Sequence, residues 1–306
     1  MTVLANTVLA ENIAKAQDIE MITSFKGELD RLSEILGLFG VEVVAAGTAM
    51  YQYSVTGTLN ATTVAEGDEV PLSEYNVNKT TIGEVPIKPY RKLTTAQAIL
   101  KGGYENAIAK TDAKMLSQVR NGVVSDFFTF LATGTGTATG AGLQDAFAQG
   151  DAELRDTMET NGDASDTLVH FVNPFDIADY LGRANVTTQT VFGMQYLQSF
   201  MGVENIFITN KAAKGTMWVT PAENIHLYGV DFATLADAGL NYTTQDGGVI
   251  GVHHVPAYDR TSAQTYVLTG ALMLAEIKDY IVKVTIGAAP NLSVEVEGTV
   301  TTEASS

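Results

Sequence analysis

The chain has 306 residues, of which 45% are hydrophobic and 17% are charged, and it contains no cysteine. This length allows a folded core in one or two domains, and the lack of cysteine excludes disulfides, thiolate zinc sites and cysteine nucleophiles. The formal net charge of −17 opposes binding of the whole chain to nucleic acid or to an anionic membrane.

Residues 1–45 are predicted to form an N-terminal arm. Apolar residues recur there at three- and four-residue steps: Ile19, Ile22, Phe25, Leu29, Leu32, Ile35, Leu36 and Phe39. This spacing predicts an amphipathic helix that ends at Gly40. The arm lacks the basic and apolar regions of a signal peptide, and no apolar run approaches the ~18 residues of a membrane span. We therefore expect a soluble protein that is intracellular at synthesis, without a membrane partner.

Residues 46–93 are predicted to form a long β-hairpin. Apolar residues alternate with polar ones in two limbs: Met50, Tyr51, Tyr53, Val55 and Leu59 in the first, and Val85, Ile87, Tyr90 and Leu93 in the second. The middle, Asn60–Asn78, carries the acidic residues Glu66, Asp68, Glu69 and Glu74 and no basic residue. A projecting two-stranded ribbon is only marginally stable in water, so we expect it to lie on another surface.

A long helix over about 95–131 is predicted to follow the hairpin. One face carries the apolar residues Ile108, Met115, Val119, Val123, Phe127 and Leu131. Gly102 and Gly103 are a possible interruption. The glycine-rich stretch Thr133–Gly142 ends the helix and is interpreted as a linker, and Leu143–Met158 is predicted to be a second helix.

The remainder mixes strands and helices. Asn173 and Pro174 are a favourable helix start, with an N-cap and a proline at the first helical position. The predicted elements are strand Leu168–Val172, helices Pro174–Leu181 and Met194–Phe200, and strands Ile206–Thr209, Thr216–Val219, Val249–Tyr258, Thr265–Leu268, Tyr280–Ile286 and Leu292–Val300.

Charge is segregated along the chain. Between Lys79 and Arg120 there are eight basic residues and three acidic ones, a net +5, so the rest of the chain carries −22. We predict that the acidic hairpin tip contacts a basic surface of another copy. The candidate assembly residues are Glu66, Asp68, Glu69, Glu74, Lys88, Arg91, Lys92, Lys110, Lys114 and Arg120.

We predict no metal, cofactor or catalytic site. His253 and His254 point to opposite faces of a strand, while His170 and His226 stand alone in apolar surroundings. No HExxH, phosphate-loop, GxSxG or EF-hand motif is present. The carboxylate pairs, Asp151 with Glu153 and Asp163 with Asp166, lie in polar stretches that are typical of solvated surface. The chain is therefore predicted not to be an enzyme.

The order of these elements resembles one known family. AAGTAMYQYSVTGTL is followed by the acidic loop that ends in EVPLSEY, by EVPIKPYRKLTTAQAI, by the long helix GYENAIAKTDAKMLSQVRNGVVSDFFTFL and by VHFVNPFDIADYL. Over essentially the whole chain this is similar to the major capsid proteins of tailed bacteriophages, the Hong Kong 97-type fold. The resemblance implies an α+β fold.

The resemblance also implies a division of the chain into five parts. Residues 1–45 would be the N-terminal arm, 46–93 the extended loop and 94–165 a peripheral domain with a spine helix. Residues 166–268 would be an axial domain, and 269–306 would return to the peripheral domain as C-terminal strands. Family function is structural: hexamers and pentamers close an icosahedral shell around double-stranded DNA.

The implied partners follow from that function. We expect other copies of the chain, a portal protein, a separate scaffolding protein, and packaged DNA only through weak, non-specific contact. The arm is expected to stay attached in the mature shell, packed by Phe25, Leu29, Leu32 and Leu36. Assembly would take place in the host cytoplasm and the product would be the virion capsid. Lys79 is the nearest analogue of a cross-linking lysine, and its polar Asn-Lys-Thr-Thr setting predicts that it stays unlinked.

Two other classes remain open from the sequence. One is a different self-assembling virion protein, such as a tail-tube subunit, which would lack the long helix. The other is a carboxylate-dependent hydrolase, which would be a compact monomer.

Overall fold

The computed structural model describes residues 7–8, 35, 37–45, 48–60, 63–183, 205–245 and 248–288. In these ranges the strands are β1 (Thr7–Val8), β2 (Glu42–Val44), β3 (Met50–Thr58), β4 (Glu74–Gly83), β5 (Ile87–Thr95), β6 (Gly136–Ala141), β7 (Leu168–Val172), β8 (Asn205–Ile208), β9 (Thr216–Pro221), β10 (Ile225–Val230), β11 (Thr243–Gln245), β12 (Ile250–Ala257), β13 (Ser262–Ala275) and β14 (Val282–Gly287). The α-helices are α1 (Ala96–Tyr104), α2 (Lys110–Leu131), α3 (Leu143–Asn161), α4 (Pro174–Arg183) and α5 (Phe232–Asp237).

The chain divides into two compact units. Unit 1 comprises Met1–Thr133 and Ala222–Ile277, and unit 2 comprises Gly134–Pro221 and Lys278–Ser306. These boundaries differ from the predicted ones, because residues 222–268 were assigned to the axial domain together with 166–221. The reason is strand pairing: β13 is hydrogen-bonded to β5, so the second chain segment shares a sheet with the first. The names axial and peripheral stay predictions.

Unit 1 is built on a seven-stranded sheet with the order β1-β5-β13-β10-β2, in which β12 also pairs with β13 and β11 pairs with β12. Helix α2 lies against β13. Its predicted apolar face is buried: Val123, Phe127 and Leu131 are 4%, 1% and 0% exposed, and the Phe127 ring lies 5.5 Å from that of Phe39. All three residues therefore belong to the core of unit 1.

The helix that follows β5 is interrupted where the two glycines predicted it. Gly103 has a φ of +75°, which favours glycine, and Glu105–Ala109 forms a π-helical turn before α2 begins. The Lys92 Nζ atom donates to the carbonyl oxygen of Ile108 at 3.3 Å and to the Thr111 hydroxyl at 2.5 Å. Lys92 therefore fastens the irregular turn to β5.

The predicted hairpin limbs need a correction. β3 pairs with β4, Glu74–Gly83, and the segment predicted as the return limb is instead β5, which pairs with β13 in the large sheet. The stretch around Asn76 and Asn78 is predicted as loop because only Tyr75 and Val77 mark the strand period there, and Lys79 interrupts the apolar alternation. Glu74 therefore lies in a strand rather than in the tip.

Unit 2 is built on a five-stranded sheet with the order β6-β14-β9-β7-β8, and α3 packs on it. Its glycine-rich stretch is not a linker, because β6 pairs in parallel with β14. Glycine is required there by close packing. A Cβ on Gly134 would lie 2.5 Å from the Ile281 side chain, and one on Gly140 would lie 2.3 Å from the backbone nitrogen of Ala146.

Several other predicted elements are confirmed. β7 has the predicted bounds, α3 covers Leu143–Met158, and α4 begins at Pro174 as the Asn-Pro pair predicted. Strand β10 and helix α5 were not predicted. The predicted helix Met194–Phe200, the strand Leu292–Val300 and the residues Phe25, Leu29, Leu32 and Leu36 of the arm helix lie outside the described residues. Residues 37–39 are helical, and Gly40 follows with a φ of +72°.

Candidate assembly surface

The β3–β4 ribbon projects with little backing from the rest of unit 1. Residues 53–58 and 74–81 are all exposed, and among the described elements each strand packs substantially only on the other. At its base the Gln52 side chain donates from Nε2 to the carbonyl oxygens of Ala275, at 3.2 Å, and Glu276, at 2.7 Å. The ribbon is therefore fixed to the C-terminal end of β13 and is otherwise free to contact a partner.

The strand register gives the ribbon two unlike faces. Pairing of Tyr53 with Lys79 and of Val55 with Val77 places every second residue on the same side. One face is aromatic and aliphatic, and its residues are 45–66% exposed: Tyr51, Tyr53, Val55, Tyr75 and Val77. The other face is polar: Gln52, Ser54, Thr56, Thr58, Glu74, Asn76, Asn78 and Thr80.

Gly57 has a specific role on the aromatic face. It pairs with Tyr75, and a Cβ on Gly57 would lie 2.1 Å from a carbon of the Tyr75 ring. The ring therefore covers the glycine and compensates for its missing side chain. Lys79 completes this face, with its Nζ atom 3.6 Å from the centroid of the Tyr51 ring. This cation–π contact holds the Lys79 side chain against the aromatic face, and the absence of a cross-link at Lys79 stays a prediction.

The tip of the ribbon is an ordered, acidic turn. The backbone N–H of Asp68 donates to the carbonyl oxygen of Ala65 at 3.1 Å, and Gly67 between them has a φ of +96°. Glu66, Asp68 and Glu69 are all exposed, as predicted for a contact surface. Two apolar side chains accompany them, because Val70 is 70% and Leu72 is 92% exposed.

The predicted basic residues do not form one surface. Lys88 and Lys92 extend from β5 toward α2, where Lys88 pairs with Asp126 at 2.5 Å and Lys92 pairs with Asp112. Arg91, between them in the strand, points to the other face of the sheet. The Lys92 side chain is only 10% exposed, and its charge is neutralised inside the subunit by Asp112. Lys92 is therefore removed from the candidate interface.

The remaining basic candidates differ in accessibility. Arg91 donates from Nε to the Gln264 side chain at 3.1 Å and lies over the Tyr266 ring. On α2, Lys114 is exposed, whereas Lys110 and Arg120 are half-buried. Among the four lysines Lys88 and Lys114 are exposed, and Lys88 is already paired with Asp126, so Lys114 is the exposed lysine of α2 that a partner can reach.

Three of the four histidines are paired with carboxylates. His170 is 2% exposed and bonds from Nε2 to Asp151, while His226 bonds to Glu276 and His254 to Asp112. The expectation that His170 and His226 stand alone was wrong, because each meets an acidic residue distant in sequence. Within the described residues, no group of three or more His, Asp and Glu side chains could hold a metal ion.

The carboxylates considered for catalysis also have structural partners. Asp151 is the partner of His170, and Asp163 accepts a hydrogen bond from the Tyr280 hydroxyl at 2.5 Å. Asp163 is exposed, as the sequence predicted, whereas Asp151 is partly buried. The first contact joins α3 to β7, and the second joins the turn after α3 to the turn that precedes β14.

The start of α4 clamps the turn between β8 and β9. Asn173 donates from Nδ2 to the carbonyl oxygen of Ala212 at 2.6 Å, and both carboxylate oxygens of Asp176 accept from the N–H of Gly215, at 3.0 and 2.9 Å. Burial raises the pKa of Asp176, and the bond from Gly215 and the charge of Lys214 oppose that rise. The Asn-Pro-Phe-Asp segment thus has a structural role.

No helix in the described ranges is long and apolar enough to cross a membrane. No model of a protein family matches the sequence, and no curated protein is significantly similar to it.

Solved structures are similar to the chain over most of its length. The capsid structure of cyanophage P-SCSP1u matches 94% of this chain and 93% of that chain, with 10% sequence identity and a TM-score of 0.54. The capsid of a native GTA particle matches 84% and 91%, with 9% identity and a TM-score of 0.55. The mature capsid of bacteriophage PhiM1 matches 82% and 87%, with 10% identity and a TM-score of 0.54.

At these identities the likeness concerns the fold. The chain has the α+β, Hong Kong 97-type fold of tailed-phage major capsid proteins, so the predicted fold class is confirmed.

Proposed function

We propose that this chain is a structural major capsid protein that assembles as hexamers and pentamers into an icosahedral shell around double-stranded DNA. The observation that carries the proposal is the combination of the fold with an unbacked ribbon. The fold matches capsid subunits across nearly the whole chain, and the ribbon exposes five apolar side chains on one face. An exposed face of this kind is typical of a protein–protein interface.

The physical argument for assembly comes from the ribbon's energetics. A two-stranded ribbon with both faces in water gains little from its own hydrogen bonds, since water competes for them. Burying the aromatic face against another subunit would stabilise both the ribbon and the contact, at about 25 cal/mol per Å² of apolar area. This supports a subunit whose ordered state depends on its neighbours.

The partners of the proposed shell are other copies of the chain, a portal protein, a separate scaffolding protein and packaged DNA. The net charge of −17 supports only weak, sequence-independent contact with DNA. The location is the virion capsid, after assembly in the host cytoplasm. Because the paired carboxylates and histidines all serve packing, we propose no enzymatic activity.

Negative-stain electron microscopy and native mass spectrometry of the purified chain test the proposal, with the scaffolding protein co-expressed where it is known. The expected result is shells, or rings with fivefold and sixfold symmetry. A compact monomer at every concentration, with no assembled species, would overturn it. Stacked tubes would instead favour a tail-tube subunit.

A further inference from the structure

We infer that a segment near the C-terminus of this chain forms an additional strand in the sheet of unit 2, along the open edge of β6. The segment, here the tail strand, is residues 292–297, Leu-Ser-Val-Glu-Val-Glu, which lie outside the described residues. This strand would belong to the folded subunit itself, so it goes beyond the proposed function and is independent of assembly.

The outer backbone groups of β6 have no described partner. In the order β6-β14-β9-β7-β8 the strand lies at the edge and is bonded to β14 alone. The N–H of Gly142 donates to the end of β14 at 3.1 Å, whereas the N–H of Ala141 points away from β14 and donates to the Asp145 carboxylate at 2.7 Å. Because backbone groups alternate along a strand, those of Thr137 and Thr139 also point away from β14. No described residue forms a hydrogen bond with these outward groups.

The open edge of β6 carries none of the features that usually protect one. Its sequence, Gly-Thr-Ala-Thr-Gly-Ala, contains no proline and no charged residue. Natural proteins block exposed edges with prolines, charges or bulges, or cover them with another segment, because unpaired strands recruit other strands. In the described part of unit 2, Asp145 alone bonds to this edge, at its C-terminal end. We therefore expect a further segment along it.

The tail strand has the sequence and the position that this edge requires. Its apolar and polar residues alternate, which is the strand period, and two of the six are valine. β14 ends at Gly287, opposite Ala141 at the C-terminal end of β6. Residues 288–291 can span about 13 Å, at about 3.3 Å per residue, and an added strand lies about 10 Å from β14, or two strand spacings. The tail strand can therefore enter beside Ala141 and run antiparallel to β6.

The exposed face of β6 and β14 is polar and carries a positive charge. A Cβ on Gly140 would face Ala146 of α3, so the alternate residues Thr137 and Thr139 lie on the opposite, exposed face of the sheet. Thr137 pairs there with Lys283, which is exposed and has no acidic partner among the residues that the structure describes. An added strand with acidic side chains on this face would complement that charge.

The alternation of the tail strand meets this requirement. When Glu295 and Glu297 share the face of Lys283, the carboxylates lie two strand spacings from the lysine, within reach of these long side chains. The apolar residues, Val294 among them, then point to the α3 side, where β6 carries only glycine and alanine. The opposite orientation would place the two glutamates on the α3 side and the apolar side chains in water, which is unfavourable.

Covering this edge matters for the unassembled subunit. Two copies with an open β6 can pair edge to edge, and such pairing is a route to aggregation. A strand supplied by the same chain occupies the backbone groups of Thr137 and Thr139 before another copy can reach them. The tail strand would therefore protect the soluble subunit.

Engineered disulfides test the pairing, because the chain contains no cysteine. Three proteins combine Thr139→Cys with Ser293→Cys, Glu295→Cys or Glu297→Cys, which cover the registers on one face. Directly opposite residues in antiparallel strands have Cα atoms about 4.5–5.5 Å apart, a range in which a disulfide can form. The matched control combines Thr139→Cys with Val294→Cys, whose side chain belongs to the other face. Peptide mapping of the full-length chain after mild oxidation at low concentration identifies the bonds.

The expected result is an intrachain disulfide in one of the three proteins and none in the control. Equal yields in all four proteins would mean that the segment has no fixed face and would overturn the inference. A complete lack of intrachain bonds would also overturn it. Bonds between two copies alone would do the same, because the segment would then pair with a neighbour rather than with its own β6.

Hydrogen exchange gives an independent test. A chain that ends at Ala288 lacks the tail strand, so the amides of Thr137 and Thr139 should lose protection in β6 peptides measured by mass spectrometry. Peptides over β7, which lies between β9 and β8, are the control and should exchange equally in both chains. Equal exchange of the β6 peptides in the two chains would overturn the inference. Neither test involves assembly, so failure of both would leave the proposed function standing.

Discussion

The imidazole of His170 and the carboxylate of Asp151 are joined by a 2.7 Å bond between Nε2 and Oδ1. This bond connects β7 to α3 within unit 2, and the His170 ring also lies 5.2 Å from that of Phe147. The other ring nitrogen, Nδ1, is buried without a hydrogen-bond partner. A proton on Nε2 allows His170 to donate to the Asp151 carboxylate, which accepts.

The pair leads to a first prediction. Asp151→Ala leaves the buried Nε2–H of His170 without an acceptor, so the free energy of unfolding should fall by about 1–3 kcal/mol. The double variant Asp151→Ala/His170→Phe removes both polar partners and should be more stable than Asp151→Ala alone. Chemical denaturation of the four proteins in this cycle gives the coupling energy; strictly additive effects would contradict a direct interaction.

The sequence predicted the apolar and local features of this fold better than its polar contacts. Periodicity located α2, and the Asn-Pro pair located the start of α4, because both signals lie within a few neighbouring residues. His170 and Asp151 are instead brought together by folding of α3 over β7. Similarly, the glycine-rich stretch that contains Gly140 was interpreted as a linker, whereas in the structure Gly140 allows close packing against Ala146.

The ribbon shows a second limit of sequence reasoning. Alternation identified β3 and β5 as strands, yet it paired them with each other, since β4 lacks a regular apolar pattern. The acidic tip at Glu66 was predicted from composition and lies exposed as expected. The basic residues were grouped by proximity in sequence, but the pleat of β5 sends Arg91 and Lys92 to opposite faces.

A second prediction concerns the core of unit 1. Phe127 is 1% exposed, so Phe127→Ala should lower the free energy of unfolding by about 3–5 kcal/mol, through lost burial and a cavity. The control is Phe175→Ala in unit 2, where the ring is 63% exposed and the change should stay within about 0.5 kcal/mol. Equal effects of the two substitutions in urea denaturation would refute the packing described for Phe127.

A third prediction separates two kinds of glycine. Gly140→Ala places a Cβ 2.3 Å from the Ala146 nitrogen, which is backbone and cannot rotate away, so a loss of about 3 kcal/mol is expected. Gly122→Ala in α2 has open space around the new methyl group and should instead stabilise by up to about 1 kcal/mol. Melting temperatures measured side by side should therefore move in opposite directions, and a tolerated Gly140→Ala would show that β6 does not pack closely on α3.

A fourth prediction concerns Asp176. Its pKa is raised above 3.8, chiefly by burial, so the folded protein holds this proton to a higher pH than the unfolded chain does. The stabilisation from the protonated Asp176 is therefore fully present below pH 3.8, and it is lost as pH rises through the folded pKa. Asp176→Asn retains an acceptor for Gly215 and does not titrate.

The test compares unfolding free energies of the two proteins from about pH 3 to pH 7. The free energy of unfolding of the wild type should fall relative to that of Asp176→Asn as pH rises through the folded pKa of Asp176. Above that pKa the difference between the two proteins should no longer change with pH. Asp176→Ala, which also removes the acceptor, should be less stable than Asp176→Asn at every pH. If the wild type instead becomes more stable relative to Asp176→Asn as pH rises, the folded state favours the carboxylate form. The pKa of Asp176 would then be lowered by folding, not raised.

The last prediction concerns the acidic tip and its part in assembly. Reversing Glu66, Asp68 and Glu69 to lysine should impair shell formation, because the tip would then repel the lysines of α2 on a neighbouring copy. Each exposed pair contributes only about 0–1 kcal/mol, but the contact recurs at every subunit, so a small change per contact becomes a large change in the yield of closed particles.

The matched control makes the same charge reversal on α3. Glu153, Asp156 and Glu159 are exposed there, and their replacement by lysine changes the net charge of the chain by the same amount. Helix content by circular dichroism should stay unchanged in both triple variants, since all six residues are on the surface. Sedimentation should show fewer assembled particles for the tip variant alone. Normal shells from the tip variant would exclude charge as a determinant of this contact, whereas equal loss in both variants would assign the effect to net charge rather than to the tip.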